Sequence, residues 1–202
     1  MFVLDMEKGY FMDEKTIVIN RELTQLDIFV KDFLEVLKKY SDYLVVSGFV
    51  SISSGRTRGT EDVDILSPIT EKQKFSLLFK DLIEKDFWCY QGDDADSVYG
   101  YIKDFTSIRF ARKNQLFPNI EFIPINASKK AKYFEFTHPQ KIRIDGFEFK
   151  IPPIEFEILY KEIILASQKD KADALHLRTF FSDILDEKRF KEYEPIIKEE
   201  IK

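Results

Sequence analysis

Between residues 21 and 40 the apolar positions Leu23, Leu26, Phe29, Val30, Phe33, Leu34 and Leu37 recur at steps of three and four. That spacing lays them on one face of a helix, with Asn20 as the expected cap. The next run, 43–47 (YLVVS), is short and branched and reads as a buried strand ended by Gly48. A brief helix is expected over 49–54, then a loop over 55–61 (GRTRGTE), then a second strand over 62–66 (DVDIL). Thr70 is the expected cap of a helix running to Lys85, with Phe75, Leu78, Phe79 and Leu82 inward. Strands follow at 87–90, 105–112 and 120–125, with an acidic turn at 91–96. Residues 141–150 (KIRIDGFEFK) alternate on either side of Asp145-Gly146, a strong hairpin signal. Residues 1–20 mix short apolar and polar groups and read as an initial strand or arm. Beyond Pro152-Pro153 everything reads as helix, over 154–167 and 171–185, with a charged tail over 187–202.

The pattern therefore predicts an α+β (mixed α/β) fold. It comprises a sheet domain over 1–150 with flanking helices, and a helical segment over 151–202 packed on it. Composition narrows the class. Twenty Phe, nine Tyr and one Trp in 202 residues argue against disorder despite 33% charged residues. No run approaches the roughly 20 apolar residues of a membrane span. The opening stretch carries acidic residues where a secretory leader needs a basic patch. Cys89 is the single cysteine, so no internal disulfide forms, and the expected compartment is cytoplasmic. The net charge of −5 weighs against a general nucleic-acid coat.

The chemistry concentrates in residues 43–68. Asp62 and Asp64, two apart on a strand, project to the same face about 6–7 Å apart. Side-by-side carboxylates repel unless a cation lies between them, and Mg²⁺ takes carboxylate oxygens while leaving sites for phosphates. A pair of such ions suits phosphoryl or nucleotidyl transfer. Upstream, Ser47-Gly48 lies at a strand end before a short helix, where backbone amides can approach phosphate closely. Arg56 and Arg58, on the Gly-flanked loop, are placed to grip triphosphate oxygens, with solvated loop charges as the plainer alternative.

These residues resemble the nucleotidyltransferase superfamily, the group that includes DNA polymerase beta and the minimal and kanamycin-type nucleotidyltransferases. Val46, Ser47 and Gly48 stand where its first triplet stands, residues 49–61 form the spacer, and Asp62-Val63-Asp64 closes the motif. The resemblance implies a third carboxylate on a neighbouring strand. Glu121, in 119–123 (NIEFI), matches by type, context and order. The later part is similar to the branch related to abortive-infection nucleotidyltransferase toxins. That branch has an Asp-Gly hairpin, then a Pro-led helix carrying a Lys, then a charged turn with paired aspartates. It implies that Lys161 reaches nucleotide phosphates and that Asp170 or Asp173 organises the helices or the site. One departure stands out: the family usually has Gly at the position of Ser47.

The function implied is Mg²⁺-dependent transfer of a nucleoside monophosphate from an NTP to an acceptor hydroxyl, with release of pyrophosphate. Asp62, Asp64 and Glu121 would be catalytic and metal-binding, and Ser47, Gly48, Arg56, Arg58 and Lys161 nucleotide-binding. The acceptor stays open among an RNA end, a protein side chain and a small molecule. The alternative is a protein of the same fold that has lost the chemistry and acts by association, such as a toxin–antitoxin component. Lys161 as a surface charge, and Asp170 and Asp173 as caps or ion-pair partners, are the structural readings. His138 and His176 lack zinc spacing, and Cys89 is expected in the core.

Overall fold

The structure is a computed structural model in which residues 9–201 are described; the part of the expected N-terminal arm over 1–8 lies outside them. The chain forms two sheets and eight α-helices among the described residues. A four-stranded sheet joins β1 (Tyr10–Asp13), β2 (Thr16–Ile19), β8 (Gln140–Ile144) and β9 (Phe147–Ile151), in that order. The five-stranded sheet has the order β3 (Leu44–Val46), β4 (Asp62–Ser67), β7 (Asn119–Pro124), β6 (Ile108–Arg112), β5 (Phe87–Cys89). In it β4 and β7 run parallel, and the other pairs run antiparallel. The mixed architecture expected from the pattern is thus present, and the Asp145-Gly146 hairpin forms as β8 and β9.

Helix starts differ from the expected ones, and at α1 and α4 a side-chain cap sets the start. Helix α1 (Gln25–Leu37) begins at Thr24 rather than Asn20, in a reciprocal capping box with Asp27. Arg21, expected in the first turn, instead clamps the buried Asp27 carboxylate through two hydrogen bonds of 2.6 and 2.9 Å. Helix α3 (Lys72–Glu84) has Glu71 at its cap position, without a side-chain cap, one residue beyond the expected Thr70. The acidic turn at 91–96 hides a helix start: Asp94 caps α4 (Ala95–Lys103) by accepting from the Ser97 amide. Helix α5 (Lys130–Thr137) was not visible in the pattern, since only Ala131 and Glu135 of its eight residues are buried.

Helix α2 (Gly48–Ser53) follows β3 directly. At the other end of the chain, α6 (Ile154–Tyr160) is buried along nearly its whole length and runs into a π-helical turn at Lys161–Leu165. Ala166, in the left-handed conformation, ends that turn, and α7 (Gln168–Phe180) and α8 (Glu187–Lys198) follow. Helix α6 packs on α7 and α8, and α2 packs on α7. One apolar cluster runs through α1, one face of the five-stranded sheet, the hairpin and the C-terminal helices; Phe33, Ile65, Phe149, Phe156 and Leu177 all belong to it. The opposite sheet face has only a small apolar patch of Leu44, Val46, Leu66 and Ile125. That thinly covered face carries the chemistry. No helix among the described residues is long and apolar enough to cross a membrane.

Candidate functional site

Strand alternation turns Val63 and Ile65 into the main core and leaves Asp62 and Asp64 on the open face of β4. Register then builds the site. Val46 on β3 pairs with Asp64 on β4, Asp64 with Glu121 on β7, and Glu121 with Arg109 on β6. A row of four residues across four strands thus sets Glu121 between a carboxylate and a guanidinium. Asp62, Asp64 and Glu121 each offer an oxygen, and these oxygens lie within 4.8 Å of one another. All three residues are half-buried.

Arg109 is the trio's resident positive charge. Its Nη2 donates to Glu121 Oε2 at 2.6 Å and stands 3.8 Å from Asp62 Oδ2. Ser107 donates to the other Glu121 oxygen at 2.9 Å. Asp64 gains no such partner. Burial, and next the Asp62 carboxylate, push its carboxyl up to about 6, against a hydrogen bond from the Ser47 side chain that favours the charged form. A carboxylate held this reluctantly charged is what a cation among the three oxygens would relieve. All three donors are hard oxygens, so the residues fit a hard divalent cation.

Ser47 lies between the sheet and α2 with φ 64° and ψ −133°, a conformation that favours glycine. Its hydroxyl reaches Asp64, and its backbone amide bonds Glu157 on α6, opposing the upward push of burial on that carboxyl. At Gly48 a Cβ would collide with the Arg58 guanidinium, so the missing side chain also makes room for that arginine.

Arg56, Arg58 and Lys161 are brought together, but on a single carboxylate. Asp173 of α7, fully buried, accepts from Arg56 Nε at 2.5 Å and from Arg58 Nε and Nη2 at 3.0 and 2.8 Å. Lys161 Nζ lies 3.4 Å from Asp173 and 3.2 Å from Glu157 Oε1. Burial pushes the Asp173 carboxyl up, but the Arg58 hydrogen bond, the Lys161 charge and the Arg56 hydrogen bond together hold it below its ordinary value. The Lys161 side chain is 0% exposed, so the π-helical turn carries this ammonium into the ion cluster instead of toward the surface. Arg56 and Arg58 are not solvated loop charges; their side chains are 27% and 11% exposed. Asp170 caps α7 together with Ser167, and His176 bonds Ser54 across to α2 at 3.1 Å. Cys89 is a buried free thiol.

A pocket of about 180 Å³ opens beside Asp64 and Ser47. Val46 and Ile123 give it an apolar wall, α5 contributes Lys132 and Glu135, and α6 contributes Glu157 and Tyr160. The sequence reading passed over Arg109, Lys132, Glu135 and Glu157. For Glu157 there was a signal, the four-residue step to Lys161 that puts both on one helix face. For Arg109 there was none, because its place opposite Glu121 is a matter of non-local register.

No family model matches the chain, and no curated protein matches it by sequence. Among solved structures, it is similar to an antigenic nucleotidyltransferase-like protein from Paracoccidioides brasiliensis, with a TM-score of 0.51 and 15% identity. The match covers 80% of this chain and 78% of that one. The likeness is one of fold: the chain has a nucleotidyltransferase-like architecture.

Proposed function

We propose that the protein is a magnesium-dependent nucleotidyltransferase that moves a nucleoside monophosphate from an NTP to an acceptor hydroxyl and releases pyrophosphate. The observation that carries this reading is the convergence of Asp62, Asp64 and Glu121 beside the Ser47-Gly48 turn. Magnesium, when held by these three carboxylates, neutralises phosphate charge and polarises the bond to the leaving group. The NTP phosphates lie along the Ser47-Gly48 turn, where Arg58 is packed against Gly48. Arg56 and Lys161 act through Asp173, which keeps the Arg58 fork in place. Glu121 takes the acceptor hydroxyl proton as that oxygen bonds to the α-phosphorus. The bond from the α-phosphorus to the bridging oxygen breaks, and pyrophosphate departs.

The test is label transfer from α-phosphate-labelled NTPs to pools of RNA, protein and small hydroxyl compounds, with pyrophosphate release followed in parallel. Asp64→Asn should remove both signals; full labelling by that variant would overturn the assignment.

One observation favours a second reading. Arg109 already neutralises part of the trio, and Asp173 already engages the expected phosphate-binding cations. A binding protein that kept the fold and lost the chemistry, for example one half of a toxin–antitoxin pair, would tolerate both. Calorimetric titration with the four Mg-NTPs separates the two, since the transferase must bind one of them and no binding would favour the second reading.

A further inference from the structure

Arg109 touches the carboxylate trio, yet the transfer chemistry gives it no task. Strand register holds it there: β6 pairs it directly with Glu121 on β7, and its backbone amide donates to the Gln91 side chain at 2.8 Å. Its Nη2 stands 2.6 Å from Glu121 Oε2 and 3.8 Å from Asp62 Oδ2, so a positive charge already lies against both of these carboxylates. Asp64 is set differently. Among the described residues no cation pairs with it; Ser47 donates to it, and Lys132, shared with Glu135, eases its charge from farther off. Positive charge is therefore present against Asp62 and Glu121 and missing at Asp64.

That asymmetry bears on how many metal ions the trio can take. Two ions working as a pair stand about 3.5–4 Å apart, so both must draw on the same few oxygens. Here Glu121 has already given each of its oxygens to a donor, Ser107 to one and Arg109 to the other. A second divalent ion would have to break this charge-assisted hydrogen bond or stand against the guanidinium, where like charges repel. Three carboxylates beside one guanidinium leave two negative charges, which a single divalent ion balances.

We infer that the trio takes one divalent cation, not two, and that the Arg109 guanidinium holds the place of the second ion against Asp62 and Glu121. Its role in catalysis rests on the transferase reading, whereas the number of bound ions is measured without turnover.

The full chain is titrated with Mn²⁺, alone and with each of the four NTP analogues that carry a methylene group between the α- and β-phosphates. Bound ions are counted by electron paramagnetic resonance, in which two Mn²⁺ about 4 Å apart couple and give a spectrum unlike that of isolated ions. Wild type should hold one ion per chain and show no coupled signal with any analogue. Arg109→Gln should hold two and show the coupled signal with at least one analogue, and Arg109→Ala should match it. Asp64→Asn should lose the ion. A coupled pair in wild type would overturn the inference and leave the transferase reading standing, since the arginine would then have moved aside. A single ion in both arginine variants would overturn it in the same way. No ion in wild type, or an ion kept by Asp64→Asn, would overturn it together with the transferase reading. Should both arginine variants fail to fold, the wild-type count decides alone.

Discussion

Two groups of charged side chains meet the Ser47-Gly48 turn, and they solve the same electrostatic problem in opposite ways. On the sheet side, Asp62, Asp64 and Glu121 share one guanidinium, Arg109, and remain half-buried and short of positive charge. On the helix side, Arg56, Arg58 and Lys161 converge on Asp173 with Glu157 behind them, and every charge has a partner. The helix-side cluster joins α2's trailing loop to α6 and α7, so its charges hold tertiary structure together. The sheet-side row holds nothing together that strand pairing does not already hold. An ion group that is satisfied within the fold contributes to structure; one left unbalanced at an open face is available to a ligand.

The comparison breaks most visibly through stability. Asp173→Ala leaves a buried ammonium and two guanidinia around an empty position, and should cost about 3–5 kcal/mol in urea unfolding. Asp64→Asn should show the reverse pattern, with no loss of metal-free stability because it relieves repulsion from Asp62 and Glu121, yet with transfer activity abolished. If both variants lost stability alike, the two regions would not differ as argued.

Acid and base should separate two buried carboxyls. The folded-state pKa of Asp173 lies below its unfolded value, so its contribution is present above about pH 4 and is lost as pH falls through the folded value. Glu135 has the opposite sign. Its folded-state pKa is raised, so its own contribution is fully present below about pH 4.3 and is lost as pH rises toward the folded value. Urea melts of wild type and Glu135→Gln at pH 4 and pH 8 should therefore nearly coincide at the lower pH, with the variant more stable at the higher.

The smallest effect concerns the turn itself. Ser47 occupies a glycine-favouring conformation while its hydroxyl serves Asp64. Ser47→Gly should relieve strain and stabilise by about 1 kcal/mol, the lost hydroxyl offsetting part of the gain. The same change should push the Asp64 carboxyl further up, measurable by NMR titration of metal-free protein. A variant less stable than wild type would mean that the hydroxyl bond outweighs the backbone strain.

The local pattern was enough to read the strand carrying Asp62 and Asp64, the hairpin at Asp145-Gly146 and the apolar faces of α1 and α3, because alternation and three-four spacing are properties of adjacent residues. It also marked Ser47 as a departure from glycine, and the backbone there bears that out as a positive φ. Helices α4 and α5 were not legible, since one begins inside an acidic turn and the other buries too few residues to show a period.

What the chain's own order specified, then, was which side chains share a face: the two aspartates on one side of β4, their apolar neighbours on the other. Which faces meet was decided only by tertiary packing. Parallel pairing of β4 with β7 set Glu121 beside Asp64, and antiparallel pairing of β6 placed Arg109 next to it. Helix α7 carried Asp173 back across 115 residues to Arg58. Strand register and helix docking depend on contacts between residues far apart in the chain, which no window along the sequence contains.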